Sequence, residues 1–235
     1  MDSEKSEAEA VAVRYARRRS GDLYSMLRPE VWMASQERER KLLMLLRRHA
    51  PAPLSELTVL EIGCGTGSNL LELIRLGFDP RRLVGNELLP DRVVLARRNL
   101  PQACRVIEGD AAALDFGDER FDIVYQSTVF TSLLDPAFQQ HLAQRMWSWV
   151  RPGGAVLWYD FVYDNPANPD VRGVPLRRVR ELFPAARVDA VRVTLAPPIS
   201  RRICRIHHRM YDILNAVPWL RTHLICWLGK PGDPP

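Results

Sequence analysis

Residues 59–70 read VLEIGCGTGSNL, an apolar run that leads into a loop with a glycine at every second position. The loop follows an acid, Glu61, and its glycines are Gly63, Gly65 and Gly67. A glycine-rich turn between a first strand and a helix lets the backbone approach a nucleotide-like ligand closely. The G-x-G-x-x-G pattern of dinucleotide-binding folds fails because its third glycine would fall on Ser68, and the G-K-[ST] of a phosphate loop is absent. The loop therefore predicts a nucleotide-like ligand of another kind, with an ordinary tight turn as the alternative.

Strands and helices alternate along the chain from this loop. Apolar runs with strand character cover 58–63, 81–88, 104–110, 121–127 and 155–162, and helical periodicity covers 69–77, 90–100 and 136–150. Such alternation is typical of an α/β protein with a parallel sheet. Residues 11–50 are predicted to be helical. Beyond residue 163, the pattern predicts an edge strand at 186–195, one helix at 199–217 and a last strand at 222–229.

Polar residues stand at the ends of four successive predicted strands. They are Glu61, Glu87, Asp110 and Gln126. Glu87 comes twenty residues after Gly67, where a carboxylate can accept hydrogen bonds from both hydroxyls of a ribose. Open α/β sheets bind their ligands at this edge, so the shared register of these residues predicts a ligand site there.

The segments VLEIGCGTG, VGNELLP, VIEGDAAALDFGDERFDIVYQS and WVRPGG follow one another between about residues 55 and 165. As an ordered set they resemble the motifs of class I S-adenosylmethionine-dependent methyltransferases, and more loosely the small-molecule enzymes of bacterial polysaccharide and secondary-metabolite pathways. The resemblance implies a Rossmann-like, seven-stranded, mostly parallel α/β sheet with an antiparallel last strand and helices on both faces. It also implies an N-terminal helical cap over 1–50 and a methyltransferase domain over 51–235, with a substrate-side insertion at about 163–220.

The resemblance implies S-adenosylmethionine as the cofactor, held along the edge of the sheet. The residues that would contact its methionine part, in the glycine-rich loop, are Glu61, Gly63, Cys64, Gly65 and Gly67. Further along the edge, Glu87 would contact the ribose, and Gln126 would lie near the sulfonium. The residues that would contact the adenine are Leu88, Asp110 and Ala111. Tyr15 or Tyr24 could cover the cofactor from an N-terminal helix, or could simply pack in the core.

Two features bear on the reaction. After the fourth strand the chain has QSTV (126–129), where methyltransferases of nucleic-acid bases and amides carry N/D-P-P-Y and metal-dependent catechol methyltransferases carry acids. We therefore expect O-methylation of a small acceptor, with no metal. An antiparallel last strand would place His223 beside Asp160, as a general base and its orienting carboxylate. His208 is the second candidate for the general base. The alternative is that these residues have purely structural roles.

Residues 171–209 hold ten arginines against two acids. Guanidinium groups suit anionic ligands, so we expect Arg172, Arg201 and Arg205 to contact an anionic or sugar-like acceptor, although such a face can also simply meet water. The net charge of +5 keeps an RNA or protein substrate open as an alternative. No RNA-binding module or series of stacking aromatic residues is apparent, which argues against nucleic acid. A non-catalytic scaffold that binds the cofactor is the third alternative.

The four cysteines form no C-x-x-C pair, which argues against a zinc site and for free thiols in a reducing compartment. The sequence shows neither the pattern of a signal peptide nor the ~18 consecutive apolar residues of a transmembrane segment. We therefore expect a cytoplasmic protein, and the sequence makes no prediction of its oligomeric state.

Overall fold

The computed structural model describes residues 7–17 and 24–232. Two helices come first, α1 (Glu7–Ala16) and α2 (Pro29–His49). The central elements are β1 (Val59–Ile62), α3 (Ser68–Leu76), β2 (Leu83–Glu87), α4 (Pro90–Asn99), β3 (Arg105–Glu108), β4 (Phe121–Ser127), α5 (Pro136–Trp149) and β5 (Val150–Phe161). The last elements are α6 (Leu176–Leu182), β6 (Arg187–Leu195), α7 (Pro197–Ile203), α8 (Met210–Asn215) and β7 (Arg221–Gly229). Residues 1–6 and 18–23 of the predicted N-terminal cap, and 233–235 of the predicted domain, lie outside the described residues.

The strands form one seven-stranded sheet in the order β3-β2-β1-β4-β5-β7-β6. Strand β7 runs antiparallel to both of its neighbours, and the remaining pairs are parallel. The strand order reverses between β1 and β4, which is the switch point where open α/β sheets bind ligands. The predicted Rossmann-like fold, with its antiparallel last strand, is confirmed, and β6 is the edge strand that its sequence pattern predicts.

Helices cover both faces of the sheet because successive side chains of each strand point to opposite faces. On one face, Leu60 and Trp158 belong to a core that includes residues of α1, α5 and α6. On the other face, Val59 and Leu157 belong to a core that includes residues of α2 and α3. This alternation decides which residues of neighbouring strands can meet.

Glycines set both ends of α3, the helix that follows the glycine-rich loop. Gly67 precedes the helix with φ of 88°, and Gly77 ends it with φ of 109°. Both angles lie in the left-handed region that glycine adopts without steric cost. The start of α3 is thereby fixed directly above the carboxyl end of β1.

The prediction of one helix over 199–217 is wrong. Helix α7 ends at Ile203 and α8 begins at Met210. In the turn between them, the Nδ1 atom of His207 accepts a hydrogen bond from the backbone N–H of Arg209, at 3.2 Å. Cys204 and Tyr211 are buried here, as are the polar Ser200 and Asn215, whereas Ile206 and Ile213 are exposed. The helical period in the sequence is therefore not used to bury one continuous face.

The segment predicted as an insertion, 163–220, supplies the edge strand β6 as well as α6, α7 and α8. Among the described residues, no helix is both long enough and apolar enough to cross a lipid bilayer.

Candidate active site

A cavity of about 570 Å³ lies at the carboxyl ends of β1, β2 and β4. Ligand cavities of small-molecule sites typically enclose ~300–1,000 Å³. Its floor includes the glycine-rich loop and the residues that follow β2, β3 and β4, and Ala8, Val11 and Tyr15 of α1 line it as well. The cavity therefore occupies the edge at which the sequence places its four polar residues.

The glycine-rich loop presents bare backbone to this cavity. Gly63, Gly65 and Gly67 have φ of 66°, 60° and 88°. A Cβ atom at Gly65 would meet nothing within 4 Å, whereas one at Gly63 would lie 2.7 Å from Cγ2 of Val129. Gly65 and Gly63 both line the cavity, and Gly67 does not. The absence of a side chain at Gly65 thus leaves room for a ligand. At Gly63 a side chain is excluded because Val129, in the turn after β4, occupies the space.

Glu87 closes the loop from the end of β2. Its Oε2 atom accepts a hydrogen bond from the backbone N–H of Gly65 at 2.8 Å, and its Oε1 atom accepts one from Leu89 at 2.9 Å. The side chain is buried and lines the cavity. Each carboxylate oxygen has a second lone pair, so Glu87 can hold the loop and still accept hydrogen bonds from ligand hydroxyls.

Glu61 lies behind the loop, fully buried, and does not line the cavity. Its Oε1 atom accepts a hydrogen bond from Nδ2 of Asn69 at 2.6 Å, while its Oε2 atom has no hydrogen-bond partner. Burial raises the pKa of this carboxyl to about 8, against the opposing effects of Asn69 and the Arg38 guanidinium. Asn69 does line the cavity. Glu61 therefore supports a residue of the site from behind rather than facing the ligand itself.

The residues after β2 and β3 form the next part of the wall. Leu88, Asp110 and Ala111 all line the cavity, as does Cys64 of the loop. Oδ1 of Asp110 accepts a hydrogen bond from the backbone N–H of Ala112 at 2.9 Å and so fixes the short 3-10 turn that begins there. The structure thus brings together seven of the ten residues predicted to contact the cofactor. These seven are Gly63, Cys64, Gly65, Glu87, Leu88, Asp110 and Ala111.

Gln126 does not reach the cavity, contrary to the expectation that it lies near the sulfonium. It is fully buried, its Oε1 atom accepts a hydrogen bond from the Val129 N–H at 3.1 Å, and its Nε2 atom donates to the Tyr159 carbonyl at 3.5 Å. The residues that do line the cavity here are Ser127, Thr128 and Val129. Gln126 braces this turn, because the alternation of β4 directs its side chain into the core.

Thr128 is a lining residue that the sequence pattern did not reveal. Its φ is 57°, in the region that non-glycine residues rarely adopt. Its backbone N–H donates to the Tyr159 carbonyl at 2.8 Å, and its Oγ1 donates to the Ser127 carbonyl at 2.7 Å. Strained backbone of this kind persists only where surrounding contacts hold it, and it is concentrated at functional sites.

Helix α1 is tied to the rim of the cavity. The hydroxyl groups of Tyr15 and Ser132 lie 3.2 Å apart, and Nη2 of Arg14 donates to the Ser132 carbonyl at 2.9 Å. On the other side, the Arg92 guanidinium lies 4.6 Å from the centroid of the Tyr15 ring. Tyr15 and Tyr24, the two candidates for a cover of the cofactor, both line the cavity.

The prediction that Asp160 and His223 lie beside each other is wrong. In the register of β5 and β7, Asp160 lies opposite Leu224, and His223 lies opposite Phe161. Asp160 and His223 therefore point to opposite faces of the sheet. The fully buried Asp160 accepts hydrogen bonds from the Thr131 hydroxyl at 2.7 Å and from the Thr131 N–H at 3.2 Å. Burial raises the pKa of Asp160 to about 7.

His223 packs under α2 instead. Its ring stacks on Tyr159 with 5.2 Å between the ring centroids, and its Nδ1 atom lies 3.0 Å from the Thr222 hydroxyl. Burial, together with the Arg38 guanidinium, lowers the pKa of His223 to about 4. The ring is therefore uncharged at neutral pH. Neither His223 nor Asp160 lines the cavity.

The remaining predicted residues lie outside the cavity as well. The exposed His208 ring lies 5.5 Å from Trp32 and stacks on His207 at 4.6 Å. Arg201 is half-buried and Arg205 is exposed. Arg172 has an exposed side chain, but its backbone N–H donates to the Thr131 carbonyl at 2.8 Å, beside the rim of the cavity. Within the described part of the chain, no group of three or more His, Cys, Asp or Glu residues is arranged to hold a metal ion.

Residues 59–154 match the family model Methyltransf_25, a methyltransferase domain. This match covers the glycine-rich loop and the strands that surround the cavity. This part of the chain is a methyltransferase domain. The cofactor of such domains is S-adenosylmethionine, and the cavity fits it on three points: free space at Gly65, a buried carboxylate at Glu87, and an apolar wall at Leu88 and Ala111.

Two of the curated relatives match this chain over about half of its length. Phthiotriol/phenolphthiotriol dimycocerosates methyltransferase 1 of Mycobacterium ulcerans (strain Agy99) is 35% identical over 133 residues, which are 54% of this chain and 47% of that protein. The fatty-acid O-methyltransferase of Mycolicibacterium smegmatis (strain ATCC 700084 / mc(2)155) is 36% identical over 112 residues, 47% of this chain and 39% of that protein. The chain therefore spans less than half the length of either relative.

Solved structures with the same fold are more distant in sequence. The N-methyltransferase NodS from Bradyrhizobium japonicum WM9 has a TM-score of 0.60 at 18% identity, with 84% of this chain and 96% of that chain covered. The [4+2]-cyclase SpnF also has a TM-score of 0.60, at 17% identity, with 83% of this chain and 82% of that chain covered. Identities this low show the fold alone.

Proposed function

We propose that this methyltransferase binds S-adenosylmethionine in the cavity and transfers its methyl group to an oxygen atom of a small, anionic acceptor. The observation that carries the proposal is the open backbone of Gly65, joined by its N–H to the buried carboxylate of Glu87 beside the switch point of the sheet. When bound, S-adenosylmethionine supplies a methyl group on a positively charged sulfur, which is already electrophilic. The task left to the protein is to bind and to position the two reactants.

We assign roles to the cavity residues along the edge of the sheet. The backbone of Gly63 and Gly65 would face the methionine part of the cofactor. Glu87 would accept hydrogen bonds from the ribose hydroxyls through the lone pairs that Gly65 and Leu89 leave free. Leu88 and Ala111 would pack against the adenine, and the second carboxylate oxygen of Asp110 would accept a hydrogen bond from its amino group.

Methylation on oxygen is supported by the name of the fatty-acid O-methyltransferase, which matches part of this chain. A carboxylate is the acceptor group that suits this cavity best. All five histidines belong to the described residues, and none of them lines the cavity. A hydroxyl group must lose its proton to a base before or during transfer. A carboxylate is ionised at neutral pH and needs no base.

Binding of the cofactor is tested by calorimetry on the wild type and on Glu87→Ala. Loss of an acceptor from a buried hydrogen-bonded group costs ~1–3 kcal/mol, so the dissociation constant should rise by roughly 5- to 150-fold. Glu56→Ala, at an exposed glutamate, is the matched control and should bind as the wild type does. Unchanged affinity in a folded Glu87→Ala protein would remove the assignment of Glu87.

The acceptor class is tested with label from methyl-labelled S-adenosylmethionine and a panel of carboxylic acids, sugars and phenols. We expect methyl esters as products, with a rate that shows no acid limb between pH 6 and 8. Methyl ethers with such a limb would show that a general base operates and that the carboxylate assignment is wrong. Transfer to RNA or protein, or no transfer in any extract fraction despite cofactor binding, would favour the alternatives of a macromolecular substrate or a non-catalytic protein.

We also place the reaction in a reducing compartment such as the cytoplasm. The support is that all four cysteines are buried and unpaired.

A further inference from the structure

Exposed apolar side chains are concentrated around the cavity edge of the sheet. Within the described residues, 13 large apolar side chains are exposed. Six of them are spread over the bodies of α1 to α4. The other seven lie in α8 or in the segments that connect elements at the cavity edge, and they are Tyr24, Met26, Leu27, Tyr163, Ile206, Ile213 and Trp219. We call these seven side chains, with the exposed arginines between them, the rim surface.

The topology explains why these segments meet at one edge. Strand β5 ends at Phe161 and β6 ends at Leu195 on the same side of the sheet where the antiparallel β7 begins, at Arg221. The chain after β5 and the whole of 196–220 therefore lie at the carboxyl ends of the parallel strands. The segment before α2 joins them, because the Trp32 ring lies 5.5 Å from the His208 ring and Tyr24 lines the cavity.

The most exposed members of the rim surface are large. Leu27 is 92% exposed, Trp219 is 83% exposed, Tyr24 is 82% exposed and Ile206 is 76% exposed. Their neighbours Cys204 and Tyr211 turn the other way and pack with Met33 and Leu195 in a small core of their own. This segment therefore already buries one apolar face, and the exposed side chains lie on its other, outer face. Exposed apolar side chains gathered at one edge of a domain mark interaction sites.

The charge of the rim surface is positive. Residues 196–220 contain four arginines and one acid, Asp212, whereas the segment after β5, 162–175, contains Arg172 and two acids, Asp164 and Asp170. Arg202, Arg205 and Arg209 are exposed there, next to exposed Ile206. Beside them, Nη1 of Arg192 donates to the exposed Tyr163 hydroxyl at 2.6 Å. Arginine beside tryptophan, tyrosine and isoleucine is the composition that binds the headgroup region of an anionic bilayer.

We propose that the rim surface docks on an anionic phospholipid bilayer, with the mouth of the cavity turned toward the membrane. Trp219, Ile206, Ile213 and Leu27 would enter the headgroup boundary, and the arginines would face anionic headgroups. An acceptor with an acyl chain would then reach the cavity without leaving the bilayer; this last step rests on the proposed function, whereas docking itself does not. A second copy of the chain is a poorer occupant, since a symmetric contact would set arginines against arginines.

The test is sedimentation of the full chain, without cofactor, with vesicles of phosphatidylcholine alone or with about one-third phosphatidylglycerol. We expect binding to the anionic vesicles only, and weaker binding at high salt. Arg202→Gln combined with Arg209→Gln should lower the partition coefficient by ~25-fold, at roughly fivefold for each arginine near an anionic surface. Arg40→Gln combined with Arg98→Gln, at exposed arginines of α2 and α4, is the matched control and should bind as the wild type does.

The apolar part is tested with Ile213→Ser combined with Trp219→Ser, against Leu71→Ser combined with Val94→Ser at exposed positions of α3 and α4. Only the first pair should lose vesicle binding, while both proteins keep the wild-type affinity for S-adenosylmethionine. Equal binding by the two pairs, or no preference for anionic vesicles, would overturn the proposal. A wild-type dimer in ultracentrifugation that Trp219→Ser dissociates would also overturn it, because a second copy would then occupy the surface.

Discussion

Replacement of Gly65 by valine should abolish cofactor binding while it leaves the fold intact. The φ of Gly65 is 60°, so a β-branched residue there is strained by about 1–3 kcal/mol. A Cβ atom at this position meets nothing within 4 Å in the protein, so no clash adds to the strain. In a protein of this size, each kcal/mol lowers Tm by roughly 2–4 °C. The variant should therefore melt about 2–12 °C below the wild type and still unfold cooperatively.

The loss of binding should be much larger than this strain implies, because the added side chain occupies the space assigned to the ligand. We expect the dissociation constant for S-adenosylmethionine, measured by calorimetry, to rise by at least ~100-fold, or ~2.7 kcal/mol. Gly153→Val is the matched control, since Gly153 has φ of 78°, has nothing within 4 Å of its Cβ position and does not line the cavity. A Gly65→Val protein that melts like Gly153→Val and binds like the wild type would refute the assignment of the cavity.

Three further outcomes follow from the buried groups. The pKa of Asp160 is about 7 in the folded protein, above its usual 3.8, so the free energy of unfolding should fall as pH rises from about 4 to 7, and Asp160→Asn should flatten that slope in urea titrations. The pKa of His223 is about 4, below its usual 6.5, so protonation of the unfolded chain should destabilise the protein as pH falls from 6.5 to 4, and His223→Ala should reduce this loss. Because His223 lies outside the cavity, His223→Ala should lower kcat by much less than the ~100-fold that follows removal of a general base. A loss of ~100-fold or more in kcat would contradict the placement of His223 outside the cavity.

The residues that follow strands were the most predictable part of the site. Glu87 and Asp110 come at the ends of strands whose apolar pattern is clear, and parallel strands bring such residues to one edge whatever the details of packing. The glycine-rich loop was predictable for a similar reason, since a positive φ at Gly65 restricts the residue type directly.

Predictions that needed the face of a strand were less successful. Asp160 and His223 were expected to meet because both come near one end of adjacent strands, but a shift of one residue in register moves a side chain to the opposite face. The prediction that Gln126 lies near the sulfonium is wrong for the same reason, because its side chain points into the core and its amide holds the turn at Val129. Sequence periodicity also predicts one helix over 199–217, where the structure has two. The pattern carries no information on the tertiary contacts that bury Cys204 and Tyr211 and leave Ile206 in solvent.

The position of β7 between β5 and β6 has a consequence for the order of folding. Strand β6 pairs only with β7 in the described sheet, through residues 221–229. During synthesis, residues 187–195 emerge before 221–229 and have no strand to join until the later segment appears. The five parallel strands β1 to β5 can assemble first, whereas the edge formed by β7 and β6 closes as a unit afterwards. A growing chain that stops before residue 221 therefore exposes one side of β5, and ribosome-stalled chains of that length should bind chaperones more strongly than chains that include residue 229.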